Sequence, residues 1–89
     1  MKNENLSGRD FSGFEFTGMD LRGTDFSNAQ LVGAKFIASD IRRCNFTGAD
    51  LRGADLSGAD MRRAVVKGAN LVGADLTMAD ARGVDFDAK

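Results

Sequence analysis

From Leu6 to Phe86, every fifth residue of this chain is apolar. Leu6, Phe11, Phe16, Leu21, Phe26, Leu31, Phe36, Ile41, Phe46, Leu51, Leu56, Met61, Val66, Leu71 and Leu76 run without a break. Ala81 is the one small member, and Phe86 closes the series. A five-residue unit cannot bury its own apolar side chain. Stability must come from stacking units, which makes the chain a solenoid with a core drawn out along an axis.

The other positions of the unit are also regular. All eleven glycines fall two residues after a centre. Two residues before it stands a small side chain: Ala29, Ala34, Ser39, Cys44, then alanine at every fifth position from Ala49 to Ala79. In locally extended chain the centre and this small residue share parity and point inward. The Asp or Asn between them, as in Asp50, Asp55 and Asp60, points out to solvent. Glycine then lets the chain turn. Each unit reads as a short edge followed by a corner.

A longer period lies over the short one. Arg22, Arg42, Arg62 and Arg82 share one slot twenty residues apart, as do Asp20, Asp40, Asp60 and Asp80, while Arg43 and Arg63 form a partial third series. Four units therefore close one turn of a square coil. Seventeen centres from Leu6 to Phe86 give a little over four coils. At about 4.8 Å per coil the rod is roughly 20 Å tall.

Segments such as Ala49-Asp50-Leu51-Arg52-Gly53 and Ala74-Asp75-Leu76-Thr77-Met78 resemble the A(D/N)LXX unit of the pentapeptide-repeat family. The resemblance covers residues 4–88, within a single domain spanning 1–89. It implies an all-β solenoid, a right-handed quadrilateral β-helix of about four coils. Handedness comes from the resemblance and not from the spacing.

Filling a square with four large side chains per coil leaves room only for small partners, which accounts for the alanines. Cys44 sits in the alanine row and reads as a buried small hydrophobe. The rule breaks in the first coil, where the small slot holds Glu4, Arg9, Phe14 and Met19. Phe14 and Met19 are expected to fold over the N-terminal end. Val84 and Phe86 are expected to leave an apolar C-terminal end with open strand edges, the candidate surface for a homodimer.

Net charge is −1, from twelve basic and thirteen acidic residues, and this balance favours no class of partner. No apolar run has membrane-spanning length, and the first residues lack a signal-peptide core, so the expected location is cytoplasmic. The chain has no histidine, tyrosine or tryptophan, and no serine or cysteine paired with a base. We expect no enzyme, no cofactor and no metal site.

The outward charges are uneven. One side carries Arg22, Arg42, Arg43, Arg62, Arg63 and Arg82 against Asp20, Asp40, Asp60 and Asp80, a net of +2. This arginine side is the candidate interaction surface. It reads either as a self-compensated ladder or as a surface for an acidic protein patch. The interleaved aspartates and the lack of outward aromatics argue against nucleic acid. The expected function is a non-catalytic scaffold for an unidentified protein partner. The resemblance implies an alternative, since some family members mimic DNA and bind gyrase. Those members are longer, markedly acidic and dimeric through an added helix, and this chain departs from them on each count.

Overall fold

Twelve parallel bridges join residue to residue, and each spans twenty positions: Asn5 to Asp25, Asp10 to Gln30, Glu15 to Lys35, Asp20 to Asp40, and so on to Asp60 with Asp80. The bridged residue is always the one before a centre, so four units do make one coil and like slots lie above one another. The structure is a computed structural model and describes residues 2–86.

Three backbone hydrogen bonds tie each side to the next coil. Leu6 N–H donates to the Asp25 carbonyl at 2.8 Å, Asp25 N–H to the Glu4 carbonyl at 2.8 Å, and Gly8 N–H to the Ser27 carbonyl at 2.9 Å. The same triplet recurs around the coil. A proline at any of these donors would remove a bond, and the chain has none.

The corner has one geometry throughout. At every described corner the turn residue has positive φ, between 55° and 76°, and from the Phe11 corner to the Ala81 corner the residue after it donates back to the centre's carbonyl, as Phe14 does to Phe11 at 2.9 Å. This is the sign that a type II turn requires at its third position. Eleven corners use glycine. The remaining six hold Asn3, Asn28, Ala38, Arg43, Arg63 and Met78. Asparagine tolerates the left-handed region, but alanine, arginine and methionine are strained there by on the order of 1 kcal/mol each.

The core is the stack of centres. Phe16 lies over by Phe36, with ring centroids 4.9 Å apart and planes at 12°. Phe26 and Phe46 stack at 5.3 Å and 2°. Phenylalanines of adjacent sides meet edge to face, Phe26 with Phe36 at 5.8 Å and Phe36 with Phe46 at 5.7 Å. The small slot is as dry as the centres: Ala34, Ala54, Ala59 and Ala69 have no exposed surface. Among the described residues, no buried side-chain polar atom lacks a partner. Ser39, in the alanine row, donates to the Phe36 carbonyl at 2.7 Å.

The first coil is closed from above as expected. Phe14 is half exposed, and its ring lies 5.5 Å from Phe11 and 4.8 Å from Phe16. Met19 packs, partly buried, on the same core.

Cys44 is fully buried, and its thiol donates to the Leu21 carbonyl at 2.9 Å. Burial pushes the thiol pKa up to about 12. A nucleophilic thiolate is therefore absent at neutral pH. The folded protein is expected to resist the thiol reagent DTNB at about pH 8 and to react fully once unfolded in urea. Rapid labelling of the native chain would contradict this placement.

Candidate functional site

Arginine one residue after a centre and aspartate one residue before it lie two apart, so both project from the same side of the edge. They form a forked pair. In Arg42, Nε donates to Asp40 Oδ1 at 2.9 Å and Nη2 to Oδ2 at 2.7 Å. Arg22 with Asp20, Arg62 with Asp60 and Arg82 with Asp80 repeat this geometry. The fork also occurs once on another side, between Arg52 and Asp50.

Stacking extends the pairs into a line. Arg22 Nε lies 3.6 Å from Asp40 Oδ2, Arg42 Nε 3.6 Å from Asp60 Oδ2, and Arg62 Nε 3.8 Å from Asp80 Oδ2. Four arginines and four aspartates then alternate up one side with no net charge. The arginine side chains are 36–76% exposed, so solvent screens each link and it adds little to stability.

The aspartates do not simply face water, as parity alone predicts. From Asp10 to Asp80, Oδ1 of each one turns back to accept the N–H two residues on, as Asp25 does from Ser27 at 2.8 Å and Asp55 from Ser57 at 3.0 Å. This local bond braces the corner. It explains why Asp or Asn fills the position on every side, whether or not an arginine follows.

These bonds have a consequence for acid stability. The hydrogen bond from its arginine holds each of Asp20, Asp40, Asp60 and Asp80 below the usual carboxylate range, with Asp80 at about 2. A carboxyl group whose folded pKa lies below its unfolded value stabilises the fold above that unfolded value, near 3.9. The contribution is lost as pH falls towards the folded value. The melting temperature is expected to hold from about pH 8 to about pH 5 and to drop below about pH 4. An Asp40→Asn/Asp60→Asn variant should melt lower at neutral pH and lose less in acid. Circular-dichroism melts across pH check this, and a melting temperature unchanged at about pH 3 would contradict it.

Arg43 and Arg63 are different. They share the side with the ladder, but they occupy the corner position, with φ of 60° and 62°. Neither has an ion-pair partner within 4.0 Å among the described residues. Six arginines less four aspartates leave +2, and that excess is these two residues. With Arg42 and Arg62 they line a groove of 280 Å³. A second groove of 270 Å³ begins at Arg63 and continues past Ala64, Val65, Val66 and Lys67 to Gly83 and Asp85 on the next coil.

The structure thus divides the six arginines that composition groups together. Arg22, Arg42, Arg62 and Arg82 are tied into the ladder, and Arg43 and Arg63 stand apart. Val65, which takes the place usual for Asp and is 45% exposed, adjoins Arg63 in the second groove. In the sequence it stands out only as an outward valine in the Asp position. Of the other two candidate residues, Val84 is partly buried against the core and Phe86 is exposed. Among the described residues no group of acidic or cysteine side chains could hold a metal ion, and no helix is long and apolar enough to cross a membrane.

Comparison with known proteins places this geometry. The family described as pentapeptide repeats matches in eight copies over residues 5–36, 29–68 and 49–87. Among solved structures, a pentapeptide repeat protein from the Arabidopsis thaliana thylakoid lumen is 36% identical, with a TM-score of 0.89 over 93% of this chain and 59% of its own. HetL, involved in heterocyst differentiation regulation in the cyanobacterium Nostoc sp. strain PCC 7120, is 31% identical, with a TM-score of 0.91 over 93% of this chain and 38% of its own. QnrB1, a plasmid-mediated fluoroquinolone resistance protein, shares the fold at 18% identity and a TM-score of 0.61. The chain spans less than two thirds of the length of each of these structures. No curated protein matches it. A twenty-residue coil, corners of positive φ and matches along nearly the whole chain lead to one conclusion: the chain belongs to the pentapeptide-repeat family and is a right-handed quadrilateral β-helix.

Proposed function

We propose that the chain is a non-catalytic module that binds another protein through its arginine side. The observation that carries this reading is the pair Arg43 and Arg63. They are unpaired, they lie one coil apart, and they sit at corners where glycine would be less strained. The positive φ serves the fold at every corner, so what points towards function is the guanidinium that these two corners carry, without an ion-pair partner among the described residues. Side chains such as Arg42 and Arg62, already forked to aspartate, have less to offer an acidic surface than free guanidiniums do.

The alternative of a DNA-like rod that binds gyrase draws little support. The likeness to QnrB1 extends to the fold alone, and a chain of net charge −1 with a positive side does not reproduce a polyanion.

The test is a pull-down from lysate with wild type, Arg43→Glu/Arg63→Glu and Arg42→Glu/Arg62→Glu. A partner retained by wild type and lost from the Arg43/Arg63 variant supports the reading. Capture indifferent to either reversal overturns it. Added protein is expected to leave DNA supercoiling by gyrase unchanged.

A further inference from the structure

The two grooves meet at Arg63, and they differ in chemistry. One offers the free guanidiniums of Arg43 and Arg63. The other has a floor of buried Ala64 and Val66 with exposed Val65 above it. We infer that together they form a composite peptide site, which takes an extended segment carrying an acidic residue and, two positions on, an aliphatic one. This rests on the reading above and names the chemistry of the partner.

The spacing follows from the site. Arg63 stands at the corner, with φ of 62°, and Val65, two residues on, lies on the next side; both line the second groove. An extended ligand in that groove repeats side chains on one face every two residues, about 6.6 Å apart. Its carboxylate then meets Arg63 where its aliphatic side chain meets Val65. Arg43 lies one coil away, about 4.8 Å, within reach of the same carboxylate or of an adjacent one.

Gly83 leaves space for Arg63. A methyl group added at Gly83 would stand 3.3 Å from Arg63 Cγ, so the bare backbone of Gly83 leaves room for the arginine stem. The charge balance suits one or two carboxylates and no more. Lys67 and Asp85 offset each other in formal charge at the far end of the second groove, which leaves the +2 of the arginines. Nucleic acid is the weaker fit. Two free cations flanked by the Asp40 and Asp60 row give a phosphate backbone little to follow, and no aromatic side chain lines either groove for stacking.

The experiment is a titration of the isotopically labelled chain, followed by NMR, with the blocked peptide acetyl-Ser-Glu-Glu-Ser-Leu-Ser-amide. Its controls are the same peptide with Gln for Glu, inorganic phosphate, and a short DNA duplex. Saturable shifts of the Arg43 and Arg63 Nε–H signals and the Val65 methyls are expected, with Arg22 and Arg82 unmoved. Arg43→Glu/Arg63→Glu should weaken binding by about tenfold or more. Val65→Asp should weaken it by about fivefold.

Arg43→Gly and Arg63→Gly separate binding from folding. Each relieves a left-handed corner, so each should raise the melting temperature by about 2–6 °C while reducing peptide binding. A lower melting temperature would mean the arginines serve the fold and would overturn the inference. So would equal binding of the Gln peptide, shifts confined to the arginines and matched by phosphate, or tighter binding of DNA. If the pull-down depends on Arg43 and Arg63 but the peptide does not bind, this inference fails and the broader reading stands.

Discussion

Leu51→Asp is expected to leave the chain unfolded at room temperature. Leu51 is 1% exposed and stands in the column Phe11, Leu31, Leu51, Leu71, with alanines beside it. The substitution loses about 2–3 kcal/mol of apolar burial. It also places a carboxylate where no cation and no donor can reach it, at a cost of several kcal/mol more, or forces it to take up a proton. A domain of this size is stable by only about 5–15 kcal/mol, so the sum consumes most or all of it. The control is Val72→Asp. Val72 follows Leu71 on the outward slot, is 67% exposed and shares its column with Arg52. It should leave the melting temperature within about 3 °C of wild type. Circular-dichroism spectra and melts of the two variants decide the matter. A cooperative transition near wild type for Leu51→Asp would refute the inward register of the fifth residue.

The register was legible because three positions of the unit are governed by sterics alone. A closed square with four large side chains per coil admits only a small residue beside each, and that constraint writes Ala54, Ala59 and Ala69 into the sequence. A corner of positive φ writes glycine. Where those constraints end, legibility ends. In the first coil Phe14 takes the alanine position, and its half-exposed ring lies against Phe11 and Phe16. Handedness leaves no mark on a spacing, since a mirror-image coil has the same period.

The aspartates were half legible. Parity placed them outward, but a two-residue separation also lets Oδ1 reach the N–H of the turn, and that short-range bond competes successfully with water. The same parity rule, carried one step further, separates the arginines. Arg42 lies two residues from Asp40 and shares its side of the edge. Arg43 lies three away, at the corner, and cannot fork to it in the same manner. The signal that marks Arg43 and Arg63 was present in the sequence as two arginines in the glycine slot. It becomes physical only with the φ values, because a slot that favours glycine is a steric demand and not a motif. Val65 was visible in the sequence as a valine in the Asp position, but its neighbours were not. A lone outward valine means little until a groove is seen to pass over it.

Phe36→Ala should show how the coils share stability. The Phe36 ring has no exposed surface, stacks on Phe16 at 4.9 Å and meets Phe26 and Phe46 edge to face. Removing it leaves a cavity bordered by three rings and should cost about 3–5 kcal/mol. Phe14→Ala removes a ring that is 48% exposed and touches only Phe11 and Phe16 among the aromatics, and about 1 kcal/mol is expected. In a solenoid each coil contacts only its neighbours, so the two losses act on different interfaces. If interfacial coupling exceeds the intrinsic instability of a coil, the rod unfolds as one body. Phe36→Ala then lowers the urea midpoint steeply with an unchanged slope, and Phe14→Ala lowers it slightly with the same slope. A reduced slope or a second transition in Phe36→Ala would mean that the coils on either side of residue 36 melt apart. Equal losses for the two variants would show that the ring stack is not the spine of the fold.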